Sequence, residues 1–238
     1  MRLDKYLADA CVGSRSQVKQ LIRKGLVRVN GNKASDPSMA VNDHDTVECN
    51  GDPVTYRDHF YFMLNKPGGL ITATEDDKQE TVLDLFPEKI RKKLFPVGRL
   101  DKDTVGLLLI TDDGALCHEL MAPSHHVDKR YLLCTDKPMD EDDVKAFGEG
   151  LVLSDGTAFK PAVLEIDLDD VCKAVITINE GKYHQIKRML LARGKEVIYL
   201  KRLSVGALEL DGSLSEGEYR ELSEEELQLL HKKRSNLL

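Results

Sequence analysis

Two carboxylates one residue apart, Asp101 and Asp103, lie in the stretch Gly98-Arg99-Leu100-Asp101-Lys102-Asp103-Thr104-Val105-Gly106-Leu107-Leu108-Leu109-Ile110-Thr111-Asp112-Asp113-Gly114. Asp101 follows a short apolar step, sits in a turn that Gly106 is expected to end, and precedes an apolar run with the look of a buried strand. A carboxylate on such a mount can serve as nucleophile or base. Taken alone, an aspartate in this setting more often forms a turn or caps a helix. A pair of this spacing can also hold a divalent metal, but no further carboxylate or histidine follows at ligand spacing. His118, His125, His126 and His184 have no accompanying cysteine or acid pattern, and Cys11, Cys49, Cys117, Cys134 and Cys172 form no C-x-x-C pair. We therefore expect reduced, mostly buried thiols and no metal.

The elements that must carry these groups belong to a chain of 238 residues, 41% hydrophobic and 32% charged, which is the balance of a globular protein. The longest uninterrupted apolar stretch, residues 107–110, is far short of the roughly 20 residues that cross a bilayer. The N-terminus, Met1-Arg2-Leu3-Asp4-Lys5, lacks the apolar run of a signal peptide, so a cytoplasmic protein with no membrane partner is expected. The net charge of -7 argues against a polyanion as partner, but charge is unevenly placed. Residues 1–33 carry a balance of +6, and residues 182–202 hold seven cations against Glu196 alone. Such segregation is expected of a protein that grips nucleic acid.

Residues 3–10 place Leu3, Tyr6, Leu7 and Ala10 at helical spacing, and Ser14 or Ser16 can cap a second helix that Gly25 ends. Val27 and Val29 then enter a hairpin at Asn30-Gly31, and residues 46–49 form another strand before a turn-rich linker. On the second helix Arg15, Lys19 and Arg23 fall at i, i+4 and i+8, one face without acids of its own, where a phosphate backbone could bind. From Tyr61 onward strand-like segments (residues 61–67, 106–111, 129–135 and 173–179) and helix-like ones (114–121, 140–150 and 184–194) are interspersed without a regular β-α-β beat, and no glycine-rich nucleotide fingerprint appears. The expected fold class is α+β: a small helix-helix-strand domain over residues 1–59, then a mixed, largely antiparallel-sheet domain over residues 60–238.

The N-terminal residues Arg2-Leu3-Asp4-Lys5-Tyr6-Leu7, Ser14-Arg15-Ser16 and Ile22-Arg23-Lys24-Gly25-Leu26-Val27-Arg28-Val29-Asn30-Gly31 resemble a ribosomal-protein-like RNA-binding domain. That resemblance implies that Arg2, Lys5, Arg15, Lys19, Arg23 and Lys24 bind RNA, through shape and phosphates rather than base stacking. The stretch around Asp101 is similar to the signature of pseudouridine synthases. Asn65-Lys66-Pro67-Gly68-Gly69, Lys129-Arg130-Tyr131-Leu132 and Glu180-Gly181-Lys182-Tyr183-His184-Gln185-Ile186-Lys187-Arg188-Met189 match further motifs in the right order. Residues 61–67, Ser124-His125-His126, residues 160–165 and Gly217-Glu218-Tyr219-Arg220 resemble the RsuA-type branch, which acts on 16S ribosomal RNA. Related branches act on large-subunit RNA, and a nonenzymatic ribosome-assembly protein is the other alternative.

The resemblance implies that a uridine is isomerised to pseudouridine by a monomer acting on ribosomal RNA or a small-subunit assembly intermediate. It makes Asp101 the catalytic carboxylate and Tyr131 the ring beneath the flipped uracil. It also makes Lys187, with Arg188 in reserve, the cation beside Asp101. Related branches commonly carry arginine at the position of Lys187. Lys66, Arg99 and Arg188 are expected to contact the target nucleotide or its neighbouring phosphates. An isomerisation gains and loses no atoms, so the resemblance implies no cofactor.

Overall fold

The computed structural model describes residues 1–42, 44–56, 58–122 and 127–231. Two compact units emerge: Met1–Phe60 with Phe86–Lys93, and Tyr61–Leu85 with Leu94–Leu238. The motif Ser124-His125-His126 lies outside the described residues.

The first unit begins with helices α1 (Leu3–Asp9) and α2 (Arg15–Arg23). Ser14 caps α2 in a reciprocal box: its hydroxyl accepts from the Gln17 amide, while the Gln17 side chain accepts from the Ser14 amide. Such a cap is worth about 1 kcal/mol. Strands β1 (Val27–Val29), β2 (Asn32–Lys33), β3 (Val47–Cys49) and β4 (Asp52–Val54) form a sheet in the order β2-β1-β3-β4. Leu3, Leu7, Val18, Ile22, Val27, Val29 and Val47 make its core. The segment around Asn50-Gly51, expected as linker, is a second hairpin. Asn50 and Gly51 both take positive φ there and turn the chain from β3 into β4. The short helix α3 (Glu88–Arg91) also belongs to this unit.

The second unit is built on a nine-stranded sheet. Its strands are β5 (Tyr61–Lys66), β6 (Phe95–Val97), β7 (Val105–Thr111), β8 (Lys129–Thr135), β11 (Val163–Ile166), β12 (Lys173–Ile178), β13 (Val197–Val205), β14 (Leu208–Glu209) and β15 (Tyr219–Glu221). The main path runs β11-β12-β8-β13-β7-β5-β15. Its neighbours pair antiparallel except β13 and β7, which run parallel, so the sheet is mixed and largely antiparallel. A separate pair, β9 (Leu151–Val152) with β10 (Ala158–Phe159), and helices α4 (Gly114–Met121), α5 (Glu141–Glu149), α6 (Gln185–Ala192) and α7 (Glu224–His231) complete it. Every residue of β7 is buried, as its unbroken apolar run requires.

Gly106 does not end the turn after Asp101; it is the second residue of β7. Its φ is +99°, and a Cβ there would lie 2.3 Å from the Arg202 carbonyl oxygen on β13. Glycine is therefore required by the close approach of two backbones. Arg202 is buried, and its Nε donates to the Leu107 carbonyl oxygen at 2.6 Å, a second tie between the same strands.

The basic stretch 182–202 is likewise not one surface. Arg193 and Lys195 meet the buried carboxylate of Asp143 at 2.8 and 2.7 Å, and Arg202 lies in the sheet. Asp143 also closes the capping box of α5 with Asp140. Its partners are remote in sequence, so a local charge balance could not show them. Of the five cysteines only Cys49 is buried; the other four are half-buried and all are free thiols. Among the described residues no helix is long and apolar enough to cross a membrane.

Gly106→Ala combines a strained φ with a backbone clash. It should lower the free energy of unfolding by about 3 kcal/mol or more, read from urea midpoints at unchanged m-value. A midpoint equal to wild type would show that β7 and β13 separate at little cost.

Candidate active site

Asp101 lies in the loop between β6 and β7, and backbone bonds and buried side chains fix that loop. The Thr104 amide donates to the Asp101 carbonyl at 3.1 Å, closing a tight turn. Buried Thr72 braces Leu100 from both sides: its hydroxyl donates to the Leu100 carbonyl at 2.7 Å and accepts from the Leu100 amide at 3.1 Å. The Gly69 amide donates to the Lys102 carbonyl at 2.8 Å.

Lys66 completes the brace. Although expected at the nucleotide, its side chain is fully buried, and its ammonium donates to the carbonyls of Pro67, Lys102 and Thr104 at 2.9, 3.2 and 2.9 Å. Lys66 thus has no exposed surface with which to meet a phosphate. Burial pushes its pKa down to about 8, against the opposing pull of Asp103, Asp101 and Glu216.

Helix α6 supplies the other side of the site. Buried Gln185 sets its start: the Gln185 side chain accepts from the Lys182 amide at 3.1 Å and donates to Glu180 at 2.9 Å. His184 precedes the helix in the left-handed region, with φ of 49°. That conformation is uncommon outside glycine and is a form of stored strain. His184 Nε2 lies 3.4 Å from one Asp101 oxygen, and Lys187 Nζ lies 3.2 Å from the other. The same ammonium meets Asp103 at 2.6 Å. Burial opposes charge at both Lys187 and Asp103, yet their mutual bond wins, raising the lysine and lowering the carboxyl from their ordinary values. The Asp101/Asp103 pair converges on a lysine, and among the described residues no three His, Cys, Asp or Glu side chains gather as metal ligands.

Arg99, Asp101, Tyr131, His184 and Lys187 line one cleft, with Leu100, Ile178, Ile186 and Leu200 as its apolar wall. Tyr131, on β8, is only 7% exposed, and Arg99 is exposed at the rim. Arg188 points elsewhere: it bonds Asp155 at 2.6 Å and Thr157 at 3.0 Å, and lies over the Phe159 ring. Lys187 rather than Arg188 is therefore the cation beside Asp101. The sequence reading missed the bracing by Thr72 and Gln185 and the approach of His184. His184 stands three residues before Lys187 in the same motif, but the left-handed backbone that accompanies its approach is not legible in residue types.

On the first unit Arg2, Lys5, Arg15, Arg23 and Lys24 are exposed and Lys19 is half-buried. The α2 face is not free of acid. Arg2 makes two bonds to Asp4 of α1, at 3.0 and 2.9 Å, and Lys19 lies 3.9 Å from the same carboxylate.

A braced carboxylate flanked by a cation, with an aromatic ring in the same cleft, fits a site that handles a nucleobase. The family model for RNA pseudouridylate synthase matches residues 60–192, and that for the S4 domain matches residues 1–47. The chain belongs to the RNA pseudouridylate synthase family, whose members are isomerases. It is 49% identical over 236 residues to the uncharacterized RNA pseudouridine synthase YtzG of Bacillus subtilis (strain 168), covering 97% of this chain and 98% of that one. It is 39% identical over 229 residues to ribosomal small subunit pseudouridine synthase A of Escherichia coli (strain K12), covering 95% and 98%. A solved pseudouridylate synthase, 39% identical, superposes with a TM-score of 0.69 over 97% of this chain and 99% of that one.

Lys66→Met should leave three carbonyls without their donor and cost about 1–3 kcal/mol at pH 7. Because the folded-state pKa of Lys66 is depressed to about 8, the unfolded chain holds more protons between about pH 8 and the ordinary lysine value of 10.5. Wild-type stability should therefore rise relative to Lys66→Met across that window. A difference that is flat with pH in denaturant titrations would mean that the Lys66 pKa is unshifted.

Proposed function

We propose that this protein isomerises a uridine of small-subunit ribosomal RNA to pseudouridine, with Asp101 as the reacting carboxylate. The observation that carries the reading is the pairing of Asp101 with Lys187 and His184 in the cleft that Tyr131 lines. The relatives named for small-subunit RNA span nearly the full chain, which favours that RNA over large-subunit RNA and a catalytic role over a purely structural one. The protein works as a monomer in the cytoplasm, on free RNA or an assembly intermediate, and needs no cofactor. Residues 1–59 hold the RNA and residues 60–238 choose and convert the uridine.

In the reaction the target base leaves its stack and enters the cleft, with the Tyr131 ring replacing part of the lost stacking, about 1–3 kcal/mol. Asp101 acts at the ribose as nucleophile or base while the carbon-nitrogen glycosidic bond breaks. The freed uracil turns, its carbon 5 bonds to the same sugar carbon, the proton on carbon 5 departs and one returns to nitrogen. Lys187 holds the Asp101 carboxylate in orientation, and Lys66, Thr72 and Gly69 keep its loop in place. Arg99 at the rim meets the nucleotide or a flanking phosphate, and Arg188 meets phosphate only after releasing Asp155.

Tritium release from 16S RNA labelled at uridine carbon 5 tests the assignment. Asp101→Asn should lose turnover at least about 100-fold while keeping its melting temperature and RNA affinity. Turnover near wild type would remove Asp101 from the chemistry, and unchanged pseudouridine in 16S RNA from cells lacking the protein would reject the substrate.

Tyr131 separates stacking from proton handling. Tyr131→Phe should keep RNA affinity and lose rate, whereas Tyr131→Ala should lose both. An alanine variant that binds and reacts as wild type does would place Tyr131 outside the site.

A further inference from the structure

The chain as a whole is acidic, yet its first unit is not. Met1–Phe60 with Phe86–Lys93 holds 13 basic and 9 acidic residues, a net charge of +4, whereas the remainder of the chain carries -11. Three of those four positive charges come from the short segment Phe86–Lys93, where Lys89, Arg91, Lys92 and Lys93 face Glu88 alone. The segment is distant in sequence from the two-helix module, and its charge serves that module only because the chain folds it into the same unit. Buried Phe86 anchors its start, and the Lys93 ammonium donates to the Asp9 carbonyl at the end of α1 at 3.1 Å.

Between this segment and α2 lies an open groove. Ser14, Gln17, Gln20 and Lys24 line one side, and Lys89, Lys92 and Lys93 line the other. All seven side chains are exposed. The acid in the groove, Glu88, makes one surface pair with Lys92 at 3.4 Å, with both side chains more than 70% exposed. A pair so open to water neutralises little and breaks readily.

We propose that this groove is a second RNA-binding track, in which Lys24, Lys89, Lys92 and Lys93 take the phosphodiester backbone beside the α2 face. The proposal rests on the ribosomal RNA reading above and adds residues which that reading does not use. A ring of lysines on flexible stems with glutamine and serine between them suits phosphate and sugar contacts without base preference. The track therefore contributes hold rather than choice of uridine.

The test replaces Lys89, Lys92 and Lys93 together by Gln, with an Arg triple at the same positions and a Gln triple at Lys78, Lys145 and Lys173 as controls. Affinity for a 16S RNA transcript is measured across a range of KCl, and single-turnover rates at saturating RNA. Each lost phosphate contact lowers the log-log salt slope by roughly 0.7–0.9, so the Gln triple should lose about 2 from the slope. Its saturated rate should equal wild type, and the Arg triple should keep the wild-type slope. A Gln triple with the wild-type slope overturns the track, as does an equal loss in the control triple or in the Arg triple. The salt slope is read without turnover. A wild-type protein that binds the transcript but forms no pseudouridine therefore sinks the functional reading and leaves the track standing.

Discussion

The parallel contact of β7 with β13 is the constraint on which the site depends. Parallel neighbours have their starting ends on the same side of a sheet, so whatever leads into one strand lies beside whatever leads into the other. Asp101 leads into β7 and α6 leads into β13, with Val105 opposite Lys201 and Gly106 opposite Arg202. That register brings Lys187 and His184 to Asp101 across more than eighty residues of sequence. It also joins β11-β12-β8 to β5-β15 as one sheet. Glycine at 106 permits the approach, and the Arg202 bond to the Leu107 carbonyl reinforces it.

Around this contact the chain uses buried charges, Lys66 and Asp143, as braces. Lys66 gathers three carbonyls under the Asp101 loop, and Asp143 gathers Arg193 and Lys195 where α5 meets the segment before β13. A buried ammonium with three acceptors is oriented by them and recovers part of what it loses by leaving water, the remaining loss showing as its depressed pKa, whereas one without partners would be disfavoured further. These ties make the mount of the carboxylate stiff. Preorganisation of this kind lets a charge act during reaction without reorganising its surroundings.

Charge is unevenly divided between the units. The second unit concentrates acid overall but places Arg99 and Lys187 at the cleft, whereas the first keeps a positive balance despite the acids of residues 34–58. Attraction to a polyanion is therefore local, and the total charge of -7 says little about the partner.

Helices α1, α2, α4, α5 and α6, strands β1, β3, β5, β7, β8 and β12, and the caps at Ser14 and Gly25 were legible because local periodicity and capping chemistry specify them. The motif residues Asp101, Tyr131 and Lys187 could be named from the sequence and do share one cleft. Charge runs misled, because a cation's partner is set by folding. Residues 182–202 read as one basic stretch, yet they run through α6 into β13, and six of their seven cations are paired with acids or buried. The same holds for Lys66, whose three acceptors lie up to 38 residues away, and for Asp4, which reaches Lys19 from another helix. Sequence determined which side chains were present and which local elements they form. Tertiary structure alone decided which charges meet, because an ion pair depends on distance in space and chain order does not fix that distance.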